Sequence, residues 1–167
     1  QVLYYGRGES IHTDFIFKKV NFVEILNECL SMNKQMLIQN GIRIEIPESV
    51  PAVYGDEKGL LFLLNQLVYN AVVYRSSQEP AITFSYGIQD NLLHFYIRDN
   101  GCGITSEDLP RVFEKGFTGK NGRKNLRSTG MGLYLCKKNA DDMGIGLSIQ
   151  SEENKYTEVR LSLPLRL

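Results

Sequence analysis

The sequence has no excess of charge of either sign, because nineteen lysines and arginines balance nineteen aspartates and glutamates among its 167 residues. Proteins that bind nucleic acid or an anionic membrane surface usually carry a basic excess or a basic patch. The sequence also lacks an apolar run as long as a membrane span. We therefore expect a globular domain with no nucleic-acid partner, and 43% hydrophobic residues are enough for one well-packed core.

Cysteine is scarce too, and the spacing of Cys29, Cys102 and Cys136 fits neither a metal site nor a disulfide framework. This absence favours a reducing compartment. The chain begins at Gln1, within sequence that is typical of a helix, so we expect it to be a piece of a longer protein.

Hydrophobic periodicity gives the order of the elements. Helices are expected over residues 22–40, 57–74 and 130–144, with a helical turn at 106–113. Strands are expected at residues 14–20, 42–46, 81–88, 91–99, 146–152 and 155–164. This order predicts an α+β two-layer sandwich, in which about three helices cover one face of a mixed, mostly antiparallel sheet of about five strands.

The segment IRDNGCGI, residues 97–104, leaves a strand on Asp99 and continues with glycines. Asp-Asn-Gly favours a tight turn, through positive φ and local side-chain hydrogen bonds. The same residues also suit a binding loop, in which glycine lets a ligand reach the backbone. The segment by itself leaves both interpretations open.

A second glycine pair, Gly130 and Gly132 in STGMGLYL, stands at the entry of a helix. Free backbone N–H groups and the helix dipole make such a position suitable for phosphate, although the sequence has neither a Walker A loop nor a G-x-G-x-x-G motif there. Close packing of the helix against a neighbour is the alternative. Asn70, inside an apolar helix, also has two interpretations: a hydrogen bond to a nearby carbonyl, or an oxygen ligand for a hard cation such as Mg²⁺.

In this order and at this spacing, the asparagine helix, the Asp-x-Gly-x-Gly loop and the Gly-x-Gly helix entry resemble the ATP-binding domain of sensor histidine kinases. That domain has the Bergerat, or GHKL, fold, which the ATPases of Hsp90, gyrase and mismatch repair share. The resemblance covers roughly residues 15–164. The stretches LYYGRGE and FEKGFTGKNGRKNLRSTGMGLYLCKK look most like kinases that sense antimicrobial, cell-envelope-active peptides beside an ABC transporter.

The resemblance implies ATP and Mg²⁺ as cofactors and gives roles to individual residues. Asp99 would accept a hydrogen bond from the amino group of adenine, and Gly101 and Gly103 would let the base approach the backbone. Asn70, together with Gln66 one helical turn earlier, would hold Mg²⁺. The residues expected to bind ATP are Asn70, Tyr74, Asp99, Gly101, Gly103, Ile104, Phe113, Lys115, Lys120, Thr129, Gly130, Met131, Gly132, Leu133 and Thr157.

The sequence departs from the family pattern mainly around the phosphates. Val73 stands where a lysine or arginine is common, and Tyr156 stands where a glycine is usual. Gln66 replaces a second asparagine or a glutamate, while Asn65 is one residue out of register. The resemblance also implies a mobile lid over residues 115–129, anchored by Phe113 and Phe117. The basic residues of this lid would either supply the positive charge that is missing at Val73 or be solvated on the surface. They are Lys115, Lys120, Lys124 and Arg127.

The resemblance implies a kinase domain without its substrate. Residues 1–12 are expected to be the end of the preceding dimerisation hairpin and a linker, and residues 13–167 the ATP-binding catalytic domain. His12 and His94 lack the setting of an acceptor histidine, and His94 is expected on a sheet face. The γ-phosphoryl group would therefore go to a histidine on a separate hairpin domain, so this fragment is expected to contain no catalytic residue and to be inactive alone.

For the intact protein, the resemblance implies a homodimer in the bacterial cell membrane, with this domain in the cytoplasm, a response regulator as partner and an ABC transporter beside it. Two alternatives stay open: a nucleotide-binding or interaction module without transfer activity, and an anti-sigma-type serine kinase or conformational ATPase of the same superfamily. Gln66 argues against a hydrolase that needs a glutamate in this helix.

Overall fold

Seven strands and four α-helices make up the part of the chain that the computed structural model describes, residues 15–76, 78–119 and 132–166. The strands are β1 (Lys18–Val20), β2 (Arg43–Glu45), β3 (Val53–Gly55), β4 (Ala81–Gln89), β5 (Leu92–Asp99), β6 (Gly146–Glu152) and β7 (Tyr156–Pro164). The helices are α1 (Phe22–Met32), α2 (Lys34–Gln39), α3 (Glu57–Val73) and α4 (Gly132–Met143), and a 3-10 turn covers Leu109–Arg111.

Five of the strands form one sheet in the order β2-β4-β5-β7-β6, and β1 and β3 form a separate antiparallel ribbon. In the larger sheet, β2 and β4 are parallel and the other neighbours are antiparallel. The β4–β5 hairpin turns at Asp90 and Asn91, whose φ angles are 55° and 62°. Positive φ at both positions is typical of a tight hairpin turn of two residues. The mixed, mostly antiparallel sheet of five strands is confirmed.

Helices cover one face of this sheet. Along β5, Leu93, Phe95 and Ile97 are buried, and His94 between them is only partly buried on the other face. Phe22 of α1 packs on the sheet with its ring centroid 4.3 Å from that of Phe95. Leucines of α3 complete the same core: Leu60, Leu63, Leu64 and Leu67. The expected two-layer sandwich is therefore confirmed.

Helix α3 carries the asparagine motif and has clear caps at both ends. The Asp56 Oδ2 accepts a hydrogen bond from the Gly59 N–H at 2.7 Å, and its Oδ1 accepts one from the Ile16 N–H at 2.7 Å. Tyr74 is the C-cap, and its N–H donates to the Asn70 carbonyl at 3.0 Å. The predicted bounds of this helix are confirmed, and they place Asn70 in its last turn.

The first predicted helix is wrong in one respect, because a break at Asn33 divides it into α1 and α2. The Asn33 side chain donates to the Cys29 carbonyl at 2.7 Å and to the Asn65 Oδ1 at 2.9 Å. Asparagine competes for backbone bonds in this way and ends a helix. The first strand is also shorter than predicted, since it covers Lys18–Val20 and not residues 14–20.

The expected remnant of a hairpin helix, residues 1–12, lies outside the described residues, and so does His12. Within the described ranges, no helix combines the length and the apolar character that crossing a membrane requires.

Candidate functional site

Asp99 is the last residue of β5, and the alternation along that strand directs its side chain to the helix-covered face of the sheet. Its Oδ1 accepts a hydrogen bond from the Gly101 N–H at 2.8 Å. Burial raises the pKa of this carboxyl from 3.8 to about 7, and the Gly101 N–H, the Arg98 charge and the Thr157 N–H offset only part of the rise. A ligand that donates a hydrogen bond to this desolvated carboxylate would stabilise its charged form.

The two glycines after Asp99 are required by contacts within the chain itself. A Cβ on Gly101 would overlap the Tyr74 carbonyl oxygen, and a Cβ on Gly103, where φ is +67°, would overlap the Glu152 carbonyl. Between them, the Cys102 N–H donates to the Tyr74 carbonyl at 2.9 Å. The loop is thus held tightly between the end of α3 and the end of β6. Close approach of a base to these glycines stays a prediction.

The asparagine motif and the second glycine motif lie next to each other. A Cβ on Gly132, the first described residue of α4, would lie 3.3 Å from the Gln66 Oε1 and 3.5 Å from both the Oδ1 and the Nδ2 of Asn70. Gln66 is one of the few buried polar residues in the described ranges. Two amide oxygens therefore lie at the start of α4, where a helix dipole favours negative charge.

Asn65 points elsewhere. Its Oδ1 accepts the hydrogen bond from Asn33 at 2.9 Å, so this side chain holds α3 to the break between α1 and α2. Of Asn65 and Gln66, it is therefore Gln66 that lies beside Asn70 at the start of α4.

Of the two predicted anchors of the lid, Phe113 packs near α4, whereas the centroid of the Phe117 ring lies 4.5 Å from the Arg111 guanidinium. Phe113 is partly buried against the core, and the Lys137 Nζ lies 6.0 Å from the centroid of its ring. The Lys115 Nζ lies 5.7 Å from the centroid of the Tyr134 ring. Leu133 packs on the core as well, which gives it a structural role whether or not it contacts a ligand.

Four residues predicted to bind ATP lie outside the described residues, namely Lys120, Thr129, Gly130 and Met131, and so do the lid cations Lys124 and Arg127. Their roles stay predictions.

Thr157 lies directly opposite Asp99 in the β5–β7 pairing. This position is compatible with the prediction that both residues contact the adenine of ATP. The Thr157 Oγ1 lies 2.9 Å from the Oγ of Ser151 on the neighbouring strand β6. The same Ser151 hydroxyl accepts from the Ile104 N–H at 2.8 Å. This bond fixes the end of the loop over residues 99–104, called the Asp99 loop below. Sequence reasoning missed Ser151, and its pairing with Thr157 across the β6–β7 hairpin is the signal that could have found it.

Tyr156, which stands where the family usually has glycine, lies at the edge of this site. The Arg98 guanidinium lies 3.8 Å from the centroid of its ring, and the Arg98 Nη1 lies 3.4 Å from the Glu158 Oε2. The tyrosine thus packs under an exposed ion pair on the outer face of the sheet, away from the Asp99 side chain.

His94 lies on that outer face, and its Nδ1 is 2.8 Å from the Ser162 Oγ. The position on a sheet face that the sequence predicts is confirmed. Since Asp99 points to the opposite face, His94 is separated from the candidate site by the sheet.

No group of three or more histidine, cysteine, aspartate and glutamate side chains among the described residues is placed to hold a metal ion. A cation here would have to rely on the amide oxygens of Asn70 and Gln66 and on oxygens of its own ligand. Hard cations such as Mg²⁺ accept such sets, because they retain several waters and phosphate oxygens. The donor set therefore fits Mg²⁺ bound together with a phosphate-bearing ligand.

Comparison with known proteins identifies the family of the chain. Residues 55–167 match the family described as histidine kinase-, DNA gyrase B- and HSP90-like ATPase. The sensor protein kinase GraS of Staphylococcus aureus strain JH1 is 34% identical over 98% of this chain and 47% of its own length, so the chain spans about half the length of the curated relatives that it matches.

Solved structures show the same fold at lower identity. The mycobacterial sensor histidine kinase MprB is 21% identical, with a TM-score of 0.76 over 88% of this chain and 97% of the other. The catalytic domain of the histidine kinase ThkA is also 21% identical, with a TM-score of 0.74 over 89% and 95%. The chain thus belongs to the family of histidine kinase-, DNA gyrase B- and HSP90-like ATPases.

Proposed function

We propose that this chain is the ATP-binding catalytic domain of a two-component sensor histidine kinase. The observation that carries the proposal is the meeting of three motifs at the end of α3. The Asp99 loop contacts Tyr74, and the start of α4 lies against Asn70 and Gln66. Asn70 and Tyr74 are about 6 Å apart along the helix axis, so one elongated ligand can reach both ends of this arrangement.

At one end, the adenine amino group would donate a hydrogen bond to Asp99. The buried carboxylate has an elevated pKa, and its Oδ1 already accepts from Gly101. A charge-assisted hydrogen bond from the base would offset part of the desolvation. Thr157, opposite Asp99, and Ile104, at the end of the loop, would line the same pocket, with Tyr74 against the base.

At the other end, Asn70 would hold Mg²⁺ with Gln66 beside it, and the N-terminus of α4 would donate to phosphate oxygens. The bound ion would neutralise charge on the phosphates during transfer. Because Val73 carries no charge, the cation usual in this helix would have to come from the lid. Lys115 is the candidate within the described ranges, and Lys120, Lys124 and Arg127 are further candidates on sequence grounds.

In the intact protein, the γ-phosphoryl group would go to a histidine on a hairpin domain that precedes this one, of which residues 1–12 would be the end. Residues 13–167 would then form the ATP-binding domain, and Asn70 and the lid cations would act by positioning and charge neutralisation. The likeness to GraS supports a membrane-tethered homodimeric kinase that passes its phosphoryl group to a response regulator. Sensing of antimicrobial peptides beside an ABC transporter is proposed from the sequence resemblance.

A nucleotide-binding module without transfer is the second candidate. Val73 favours it, because this position usually carries a phosphate-binding cation in the family. An anti-sigma-type serine kinase or a conformational ATPase is less well supported, since Gln66 offers an amide where a glutamate would act as a base.

Calorimetric titration with ATP tests the nucleotide site. Asp99→Asn should lower affinity by about one to two decades, because a hydrogen bond to a charged group contributes roughly 1.5–3 kcal/mol. Asp90→Asn, which removes an exposed carboxylate from the β4–β5 turn, is the matched control and should bind like wild type.

One outcome tests the adenine assignment, and another separates the two candidates. Equal affinity of the wild type for ATP and GTP would contradict the adenine assignment. Tight ATP binding with no transfer to an added cognate hairpin domain would favour the binding module over the kinase.

A further inference from the structure

The hydroxyl of Ser151 has three hydrogen-bond partners, which together determine where its one hydrogen goes. The Oγ lies 2.7 Å from the Tyr156 carbonyl oxygen, 2.8 Å from the Ile104 nitrogen and 2.9 Å from the Thr157 Oγ1. The carbonyl can only accept and the backbone N–H can only donate. Ser151 therefore donates to Tyr156, and it accepts from both Ile104 and Thr157.

This assignment sets the polarity of the Thr157 hydroxyl. Its hydrogen is directed at Ser151, so its oxygen has only lone pairs to offer a ligand. Thr157 lies opposite Asp99 in the strand pairing, and an ionised Asp99 also only accepts. The two side chains that face the candidate base pocket from β5 and β7 thus both present acceptors.

We propose that Ser151 is a specificity-determining positioning residue, which holds the Thr157 hydroxyl as an acceptor and so restricts the pocket to a 6-aminopurine. The inference rests on the proposed ATP site and adds a residue to it. The single hydrogen and both lone pairs of the Ser151 hydroxyl are already used, so Ser151 acts through Thr157 and not by touching the base.

The two classes of purine differ in the group that would face these acceptors. A 6-oxopurine carries a carbonyl oxygen where adenine carries an amine, and a carbonyl facing Asp99 and Thr157 has no donor to meet. Such an unpaired polar group is costly inside a pocket. Without the Ser151 hydroxyl, Thr157 is released to rotate and to donate to that carbonyl.

The test compares the affinities of ATP and ITP, which differ only in this edge of the base, at pH 8.5, where Asp99 is ionised. Wild type should prefer ATP by about 10- to 100-fold, and Ser151→Ala should reduce the ratio roughly tenfold. Ser151→Thr restores a hydroxyl and should restore the ratio. Ser148→Ala, which removes a hydroxyl from the outer face of the same strand, should keep the wild-type ratio.

The ratio of ATP affinity to ITP affinity distinguishes a role of Ser151 in base specificity from a purely structural role. Ser151→Ala also removes the acceptor for Ile104, and a looser loop would weaken ATP and ITP equally. An unchanged ratio in Ser151→Ala would therefore overturn the role of Ser151, even if both affinities fell. In a Thr157→Val background, the ratio should no longer respond to Ser151→Ala, and a continued response would also overturn it. A wild type that binds neither nucleotide would contradict the proposed function itself.

Discussion

At the scale of single residues, Asp99 occupies a position that lowers the stability of the free domain. The pKa of its carboxyl is about 7 in the fold and near 3.9 in an unfolded chain. Because the fold favours the protonated form of Asp99, the free energy of unfolding is not reduced by this carboxyl below pH 4, and this contribution to stability is then fully present. It is lost progressively as the pH rises to about 7. Perturbed acids of this kind concentrate at ligand sites.

Asp99→Asn should therefore stabilise the free domain at pH 8, by about 1–3 kcal/mol in the free energy of unfolding, because the neutral amide avoids the cost of a buried charge. The difference from wild type should shrink towards pH 4.5, where Asp99 is protonated in the fold. Urea unfolding at several pH values measures this. A variant that is less stable than wild type at pH 8 would show that Asp99 is mainly a structural acceptor for Gly101.

Asn70 gives a second prediction at this scale. If its Oδ1 holds Mg²⁺, Asn70→Ala should remove the dependence of ATP affinity on Mg²⁺ and leave adenosine affinity largely unchanged. Asn65→Ala is the matched control, because it removes an asparagine of the same helix that is bonded to Asn33. Calorimetry with and without Mg²⁺ measures both variants. If ATP affinity still depended on Mg²⁺ in Asn70→Ala, Gln66 and not Asn70 would be the residue that holds the ion.

At the scale of elements, the Asp99 loop is hydrogen-bonded both to the end of α3 and to the β6–β7 hairpin. The Cys102 N–H donates to Tyr74 at one end, and the Asn154 N–H donates to the Cys102 carbonyl at 2.7 Å at the other. These contacts leave no space for side chains on Gly101 and Gly103. The same tight fit keeps the backbone of the loop beside the carboxylate of Asp99.

Gly103→Ala should therefore destabilise the domain by about 2 kcal/mol or more, since it combines a positive φ with overlap against the Glu152 backbone. The melting temperature should fall by about 4–8 °C. Gly87→Ala on β4 is the matched control, because no heavy atom lies within 4 Å of its added Cβ and its φ is not positive. Thermal unfolding that leaves both variants close to wild type would contradict the steric account of Gly103.

At the scale of the whole molecule, the sheet lies between the candidate site and His94. Asp99 and Thr157 face the helices, whereas His94 bonds to Ser162 on the other face. In-line phosphoryl transfer requires the nucleophile next to the γ-phosphorus. His94 is therefore a poor acceptor for a phosphoryl group bound beside α3.

We accordingly expect this chain to bind ATP without phosphorylating itself and to transfer phosphate only when the cognate hairpin domain is supplied. Incubation with γ-labelled ATP, with and without the hairpin, measures both parts. Acid-labile, base-stable label on this chain alone would contradict the expectation. His94→Gln and His12→Gln variants would then identify the acceptor.

Much of this architecture follows from local sequence. Strict alternation marks β5 and β7, helical periodicity with Asp56 as a cap marks α3, and Asp90-Asn91 marks the hairpin, because each signal depends on neighbours in the chain. The positions of Asn70 and Asp99 at the ends of these elements follow with them. The sequence by itself therefore determined the order of elements, and the resemblance of its motifs to a known family indicated a nucleotide site.

Tertiary structure decided the contacts between distant segments. Asn33 divides the first helix because it meets Asn65, 32 residues away, and Ile104 meets the Ser151 hydroxyl across 47 residues. Gly103 is required by the backbone of Glu152, which no local pattern indicates. The acceptor character of Thr157 likewise depends on Ser151 and Tyr156 together. Such features depend on which groups meet in the folded core, so they become visible only when strands and helices from different parts of the chain pack together.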